Sequence, residues 1–145
     1  MIPKIASLIS LIVAITGLYI LIRNHLLISW HPVTIAIQVF AIALMIWARI
    51  TFGARSFHAA ANTTEGKLVT HGPYKYWRHP IYASIIYFVW ASVIAYPFGL
   101  TIAVAVTITI ALFSRAMLEE YFLYNAYPEY EEYAKRTKRF IPFVV

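Results

Sequence analysis

The sequence predicts an all-α integral membrane protein with about four transmembrane helices, a helical hairpin, a polar cytoplasmic loop and a C-terminal amphipathic helix. Three observations predict it. The 145 residues are 61% hydrophobic and only 12% charged, with a mean hydropathy of +0.70, far from the balance of a soluble domain. The apolar residues gather into runs of bilayer length. The basic residues gather to one side of those runs. A soluble chain of this size could not cover so much apolar surface, and disorder needs the opposite composition. The length fits one domain, residues 1–145.

The first run covers residues 5–22, interrupted only by Ser, Thr and Gly. At ~1.5 Å per residue it crosses a hydrocarbon core of about 30 Å. No small-x-small cleavage site follows it, so it reads as a span and not as a leader. A short link leads to the second run, 30–48, with Trp30 and Trp47 placed as interfacial anchors. Residues 49–80 then form a long polar loop holding Arg49, Arg55, Lys67, Lys75, Arg78, His58, His71, His79 and the turn pair Gly72-Pro73. A loop of this length in a compact protein is usually functional. The third run, 81–96, has Pro80 to begin its helix, and Pro97-Phe98-Gly99 breaks the chain after it. The fourth, 98–117, should run on as helix past its apolar part to about Tyr124. These last two runs are short for full spans and suggest a tight hairpin. In the tail, residues 118–145, Tyr130, Tyr133 and Ala134 recur at helical spacing among charges. That pattern predicts an amphipathic helix on the membrane surface.

Charge sets the expected topology. There are twelve Lys and Arg, six acidic residues (all Glu) and a net charge of +6. With four crossings, every Lys and Arg except Arg23 falls on the side shared by the N-terminus, the 49–80 loop and the tail. Cytoplasmic loops favour Lys and Arg, so both termini are expected in the cytoplasm of an inner or plasma membrane. The same bias explains the basic excess without a nucleic-acid partner. The absence of cysteine removes disulfides, thiolate metal sites and Cys nucleophiles.

Two clusters could carry chemistry, and the topology brings them to one membrane face. The first is Leu68-Val69-Thr70-His71-Gly72-Pro73-Tyr74-Lys75-Tyr76-Trp77-Arg78-His79-Pro80-Ile81-Tyr82. Arg78 and His79 stand at the mouth of a helix whose first amides are open donors, and the aromatics could stack on a flat ring. The plain alternative is an interfacial anchor of aromatics and cations. The second cluster is Arg115-Ala-Met-Leu-Glu119-Glu120. Arg115 and Glu119 share a helical face, which would also suit a surface ion pair. Adjacent acids near a helix C-terminus oppose its dipole, however, and at the hydrocarbon boundary they are costly unless paired or used. The histidine spacings fit no metal site, and there is no phosphate-cradling glycine loop and no nucleophile elbow.

Taken together, the clusters resemble a known family. Gly72-x-Tyr74 followed by Arg78-His79-Pro80-Ile81-Tyr82, then Glu119-Glu120, Tyr130-x-x-Tyr133 and Arg139-x-x-Pro142, look like the signature of the isoprenylcysteine carboxyl methyltransferase and phospholipid N-methyltransferase superfamily. The resemblance implies S-adenosylmethionine as cofactor, bound at the cytoplasmic face under the C-terminal segment, and a lipophilic small molecule or lipid as acceptor. By resemblance Lys67, Leu68, Val69 and Tyr74 fall where that family contacts the cofactor. Arg78, His79, Pro80, Ile81 and Tyr82 fall in its second cofactor segment, Glu119 and Glu120 on its acidic pair, and Arg115 near the residue that meets the acceptor's polar end. His79 and Arg115 are the candidate catalytic residues. Three positions depart from the family pattern: Gly66, Ser84 and Pro128. The acceptor therefore stays open between an isoprenylcysteine-like carboxylate and a phospholipid amine. Readings of other classes are a small transporter, a non-catalytic scaffold and a membrane reductase. A transporter needs an acid within a membrane helix, whereas all six Glu lie outside the apolar runs, and membrane reductases of related fold are usually much longer.

Overall fold

The computed structural model describes residues 2–53 and 67–142. The parts of the expected loop that hold Arg55, His58 and Gly66 lie outside the described residues. The described chain is helical: α1 (Ile2–Arg23), α2 (Pro32–Phe52), a 3₁₀ turn (Gly72–Lys75), α3 (Pro80–Ala95), α4 (Gly99–Ala126) and α5 (Tyr130–Arg136). Three helices, α1, α2 and α4, are long and apolar enough to cross a membrane, while α3 is a shorter apolar helix of 16 residues. Large apolar side chains point outward along them, among them Ile9, Ile12, Val39, Ile46, Ile102 and Ile110. Lipid is the solvent for such a surface, and a helix satisfies its own backbone there.

The helices pair as two antiparallel layers. α1 lies along α4, and α2 along α3. Gly17 allows the first contact, because a Cβ there would meet the Ile108 side chain at 2.8 Å. Ala14, Leu21, Val104, Ala105, Ile108 and Leu112 close the core around it. In the second layer Ala83 packs with Leu44, and the Phe40 and Tyr87 rings stack at 6.2 Å. Trp90 donates its indole N–H to Thr109 across the α3–α4 hairpin at 3.0 Å.

Side-chain bonds fix which ends come together. At one end the α1–α2 link is tied to α3: the Leu27 carbonyl accepts from Gln38 and from Ser92, both at 2.7 Å, and the Ile28 carbonyl accepts from Tyr96. At the other end stand the start of α1, the end of α2, the start of α3, the end of α4 and the tail through Pro142.

Three local expectations change. Helix α2 continues to Phe52, so Arg49 belongs to it and not to the loop. Helix α4 continues past its apolar part as the sequence predicts, and at 28 residues it is long enough to span, so of the expected short pair only α3 is short. The inner face of α5 is covered by protein, not lipid. Tyr130 and Tyr133 are buried, and Tyr133 donates to the Tyr74 carbonyl at 2.7 Å. A seven-residue helix is too short to be stable alone, so docking holds it.

Candidate functional site

The site begins with a turn. Gly72 has φ +60, and a Cβ there would meet the Thr51 hydroxyl at 2.7 Å, so glycine both makes the turn and seats it on α2. Tyr74 then packs with Val69 and Ala48, with Ile81 against them. After Tyr76 the chain runs beside the tail. The Lys138 amide donates to the Tyr76 carbonyl at 3.2 Å, the Arg78 amide to the Lys138 carbonyl at 2.6 Å, and the His79 amide to the Arg139 carbonyl at 3.2 Å. Trp77 and Lys138 form a parallel bridge. Tyr87 fastens the next residue of the tail by donating to the Phe140 carbonyl.

His79, the residue before α3, faces both acids of α4. Its Nε2 lies 3.1 Å from Glu120 and its Nδ1 3.6 Å from Glu119. The imidazole stacks on the Tyr82 ring at 5.6 Å and 8°. Around Glu119, Tyr82 donates its hydroxyl at 2.5 Å and Arg115 approaches at 3.3 Å. Arg115 also donates from Nε to the Tyr82 hydroxyl at 2.6 Å and from a terminal nitrogen to the Ser7 carbonyl of α1 at 3.0 Å. Glu120 takes a two-pronged contact from Arg139, at 3.0 and 2.9 Å, with Arg78 at 3.6 Å. Paired N–H donors on a carboxylate are the stronger kind of ion pair. That bond is the main reason the Arg139 guanidinium is held above its ordinary value.

Exposure separates the acids. The side chain of Glu119 is 22% exposed, whereas Glu120 as a residue is 2% exposed. Arg115, which the resemblance sets near the acceptor's polar end, is 3% exposed. Beside the acids, Arg78 Nε and the Tyr130 hydroxyl are buried without a hydrogen-bond partner. Burial, ahead of any charge, raises the hydroxyls of Tyr74, Tyr130 and Tyr133 above the ordinary tyrosine value of 10.0.

Of the residues singled out from sequence, Arg78, His79, Tyr82, Arg115, Glu119 and Glu120 come together in one cluster. Val69, Tyr74 and Ile81 form the apolar wall beside it, with Pro80 buried at the helix start. Lys67 is exposed and Leu68 partly exposed, at the rim. Sequence reasoning left out Ser7, Tyr130 and Arg139 as site residues. The tyrosine spacing was a signal, but it pointed to an amphipathic surface helix. Nothing in the local pattern pairs Arg139 with Glu120, or the Ser7 carbonyl with Arg115.

The model of the isoprenylcysteine carboxyl methyltransferase (ICMT) family matches residues 34–125, more than half of the chain. The chain is also similar to the cobalt-zinc-cadmium resistance protein CzcN of Cupriavidus metallidurans, 36% identical over 77 residues, which is 52% of this chain and 35% of that one. It is similar to the nickel-cobalt-cadmium resistance protein NccN of Alcaligenes xylosoxydans xylosoxydans, 33% identical over 78 residues, 52% of this chain and 36% of that one. The matched region thus spans about a third of the length of these curated relatives. No solved structure matches the chain.

Proposed function

The chain belongs to the isoprenylcysteine carboxyl methyltransferase family, and from that premise we propose that it transfers a methyl group from S-adenosylmethionine to a lipophilic acceptor at the cytoplasmic membrane face. One observation carries the reading: residues far apart in sequence, 78–82, 115–120 and 139, meet around adjacent carboxylates at one end of an apolar bundle. The donor set fits the cofactor. A partly exposed carboxylate beside a stacked imidazole and phenol suits a cationic, ring-bearing, hydroxyl-rich molecule, and the buried Arg78 Nε and Tyr130 hydroxyl are donors still to be satisfied.

S-adenosylmethionine supplies, when bound, an electrophilic methyl on a sulfonium, and every other task falls to the chain. Glu119 holds the cofactor by charge-assisted hydrogen bonds. Arg115 and Tyr82 fix that carboxylate, and Val69, Tyr74 and Ile81 are the apolar cluster against which the cofactor's ring would lie. Aligning donor and acceptor is the main catalytic work in such a displacement, and orientation can supply roughly 7–11 kcal/mol.

The acceptor's apolar chain has a place. An open groove of about 390 Å³ is lined by Ile86, Tyr87, Trp90, Thr109, Phe140 and Ile141, and the Phe140 ring lies 6.1 Å from His79. Both His79 nitrogens face carboxylates, so the imidazole bridges the acids and is not an open base. That favours an acceptor with no proton to lose, a carboxylate, over an amine. The metal-resistance names belong to relatives of which the match covers about a third.

The test is to incubate membranes containing the protein with methyl-labelled S-adenosylmethionine. Label in a base-labile lipid ester is expected. Base-stable label in phospholipid would move the reading to an N-methyltransferase, and no labelling with no cofactor binding would leave only a scaffold.

A further inference from the structure

Glu119 and Glu120 are neighbours in sequence with opposite surroundings. Glu120 has both oxygens taken by Arg139, a third contact from His79 Nε2 and a fourth from Arg78, and it is 2% exposed. Three hydrogen bonds occupy the carboxylate, the Arg78 guanidinium stands 3.6 Å from its second oxygen, and burial closes the rest of it to a small molecule. Its main partner, Arg139, sits on the segment that hydrogen-bonds along residues 76–79. The His79 ring touches both acids, one with each nitrogen.

We propose that Glu120 and Arg139 form a latch that fastens the C-terminal segment over the site, and that Glu120 positions Glu119 through the His79 ring without touching the cofactor. The inference goes beyond the methyltransferase reading and needs it only for the cofactor measurement below. Its physics is that of a buried pair. With Arg139 removed, the Glu120 carboxylate is left buried without its main partner, and with either one removed the tail segment beside residues 76–79 keeps three backbone bonds and the contacts of Phe140. An unfastened tail no longer holds the His79 amide or the Phe140 ring beside the imidazole, so the imidazole shifts and Glu119 loses its neighbour.

The cysteine-free chain allows a direct measurement in detergent micelles. Thr137, 3% exposed on the tail, is replaced by cysteine, and its maleimide labelling rate reports undocking. Glu120→Gln, Arg139→Gln, the double variant and Arg139→Lys are compared. Each neutral single variant should raise the labelling rate about tenfold, and the double variant should add nothing further, as for two partners of one interaction. S-adenosylmethionine affinity should fall by a similar factor in all three. Arg139→Lys restores the charge but not the two-pronged fork, so it should recover part of both properties, more than Arg139→Gln and less than wild type.

Loss of cofactor affinity in Glu120→Gln alone, with Arg139→Gln unaffected, would make Glu120 a ligand and overturn the proposal. So would multiplicative effects in the double variant, or labelling that no variant changes. If Glu120→Gln does not fold, the Arg139→Gln and Arg139→Lys pair still decides. Wild-type protein that binds no S-adenosylmethionine would end the methyltransferase reading, while the labelling rates would still judge the latch.

Discussion

Successive residues on an α-helix are turned by about 100° from each other, and that rotation gives Glu119 and Glu120 different chemistry. Glu119 turns to Tyr82 and Arg115, and Glu120 to the tail and Arg139. Glu119→Gln keeps the shape and removes the charge. It should weaken S-adenosylmethionine binding tenfold or more, about 1.4 kcal/mol, by calorimetry; wild-type affinity in the variant would remove Glu119 from the cofactor site. Arg115 is a different case. Its guanidinium is buried between Ser7, Tyr82 and Glu119, so Arg115→Ala leaves a carboxylate unbalanced and unties α1. We expect a loss of about 3–5 kcal/mol, the range for breaking a buried pair, read as a lower midpoint of thermal unfolding in detergent. Cofactor affinity should fall with it. A variant of normal stability that lost only acceptor use would return Arg115 to the acceptor-binding role that the resemblance implies.

At the level of elements, the site is held by a turn and by a short docked helix. Gly72→Ala adds a Cβ at φ +60 against Thr51. Strain of this kind costs on the order of 1–3 kcal/mol, and it should show as faster proteolysis near the turn with α1–α4 intact; unchanged cleavage would mean the turn is seated by other contacts. Helix α5 brings a pH dependence. The Tyr74, Tyr130 and Tyr133 hydroxyls have folded values above 10.0 because burial penalises the phenolate. Their contribution is complete below the unfolded value and is lost as pH rises above it, since the unfolded chain then gives up protons more readily. Alkaline titration should therefore release the tail before the apolar bundle opens, with part of the tyrosine absorbance change delayed until release. All eleven tyrosines titrating together, with no structural change, would count against this docking.

For the whole molecule, the antiparallel order of α1 to α4 puts the start of α1 and the tail at one end, with the α1–α2 link at the other. Among the described residues Arg23 is the one Lys or Arg at the far end, so that shared end should be cytoplasmic. A single cysteine at Lys135 should label only from the cytoplasm and one at His25 only from outside; the reverse pattern would invert the proposed orientation. The apolar runs already carried the helices, because a segment in lipid must satisfy its own backbone and composition alone then selects a helix. The hairpin was equally local, since Pro97 and Gly99 act on their own neighbours. The residues Arg78, His79, Tyr82, Glu119 and Glu120 were readable because a resemblance singled them out. What no window of sequence contained was the partnering of Arg139 with Glu120, of Ser7 with Arg115, and of Tyr133 with Tyr74. Each joins segments that meet only after the bundle forms, and a charge or a hydroxyl does not encode which distant partner will satisfy it. Composition and periodicity therefore settled that this chain is a helical membrane protein. Tertiary packing alone decided which acid stays open and which is closed, because solvent exposure and hydrogen-bond partners belong to the assembled surfaces and not to the residues themselves.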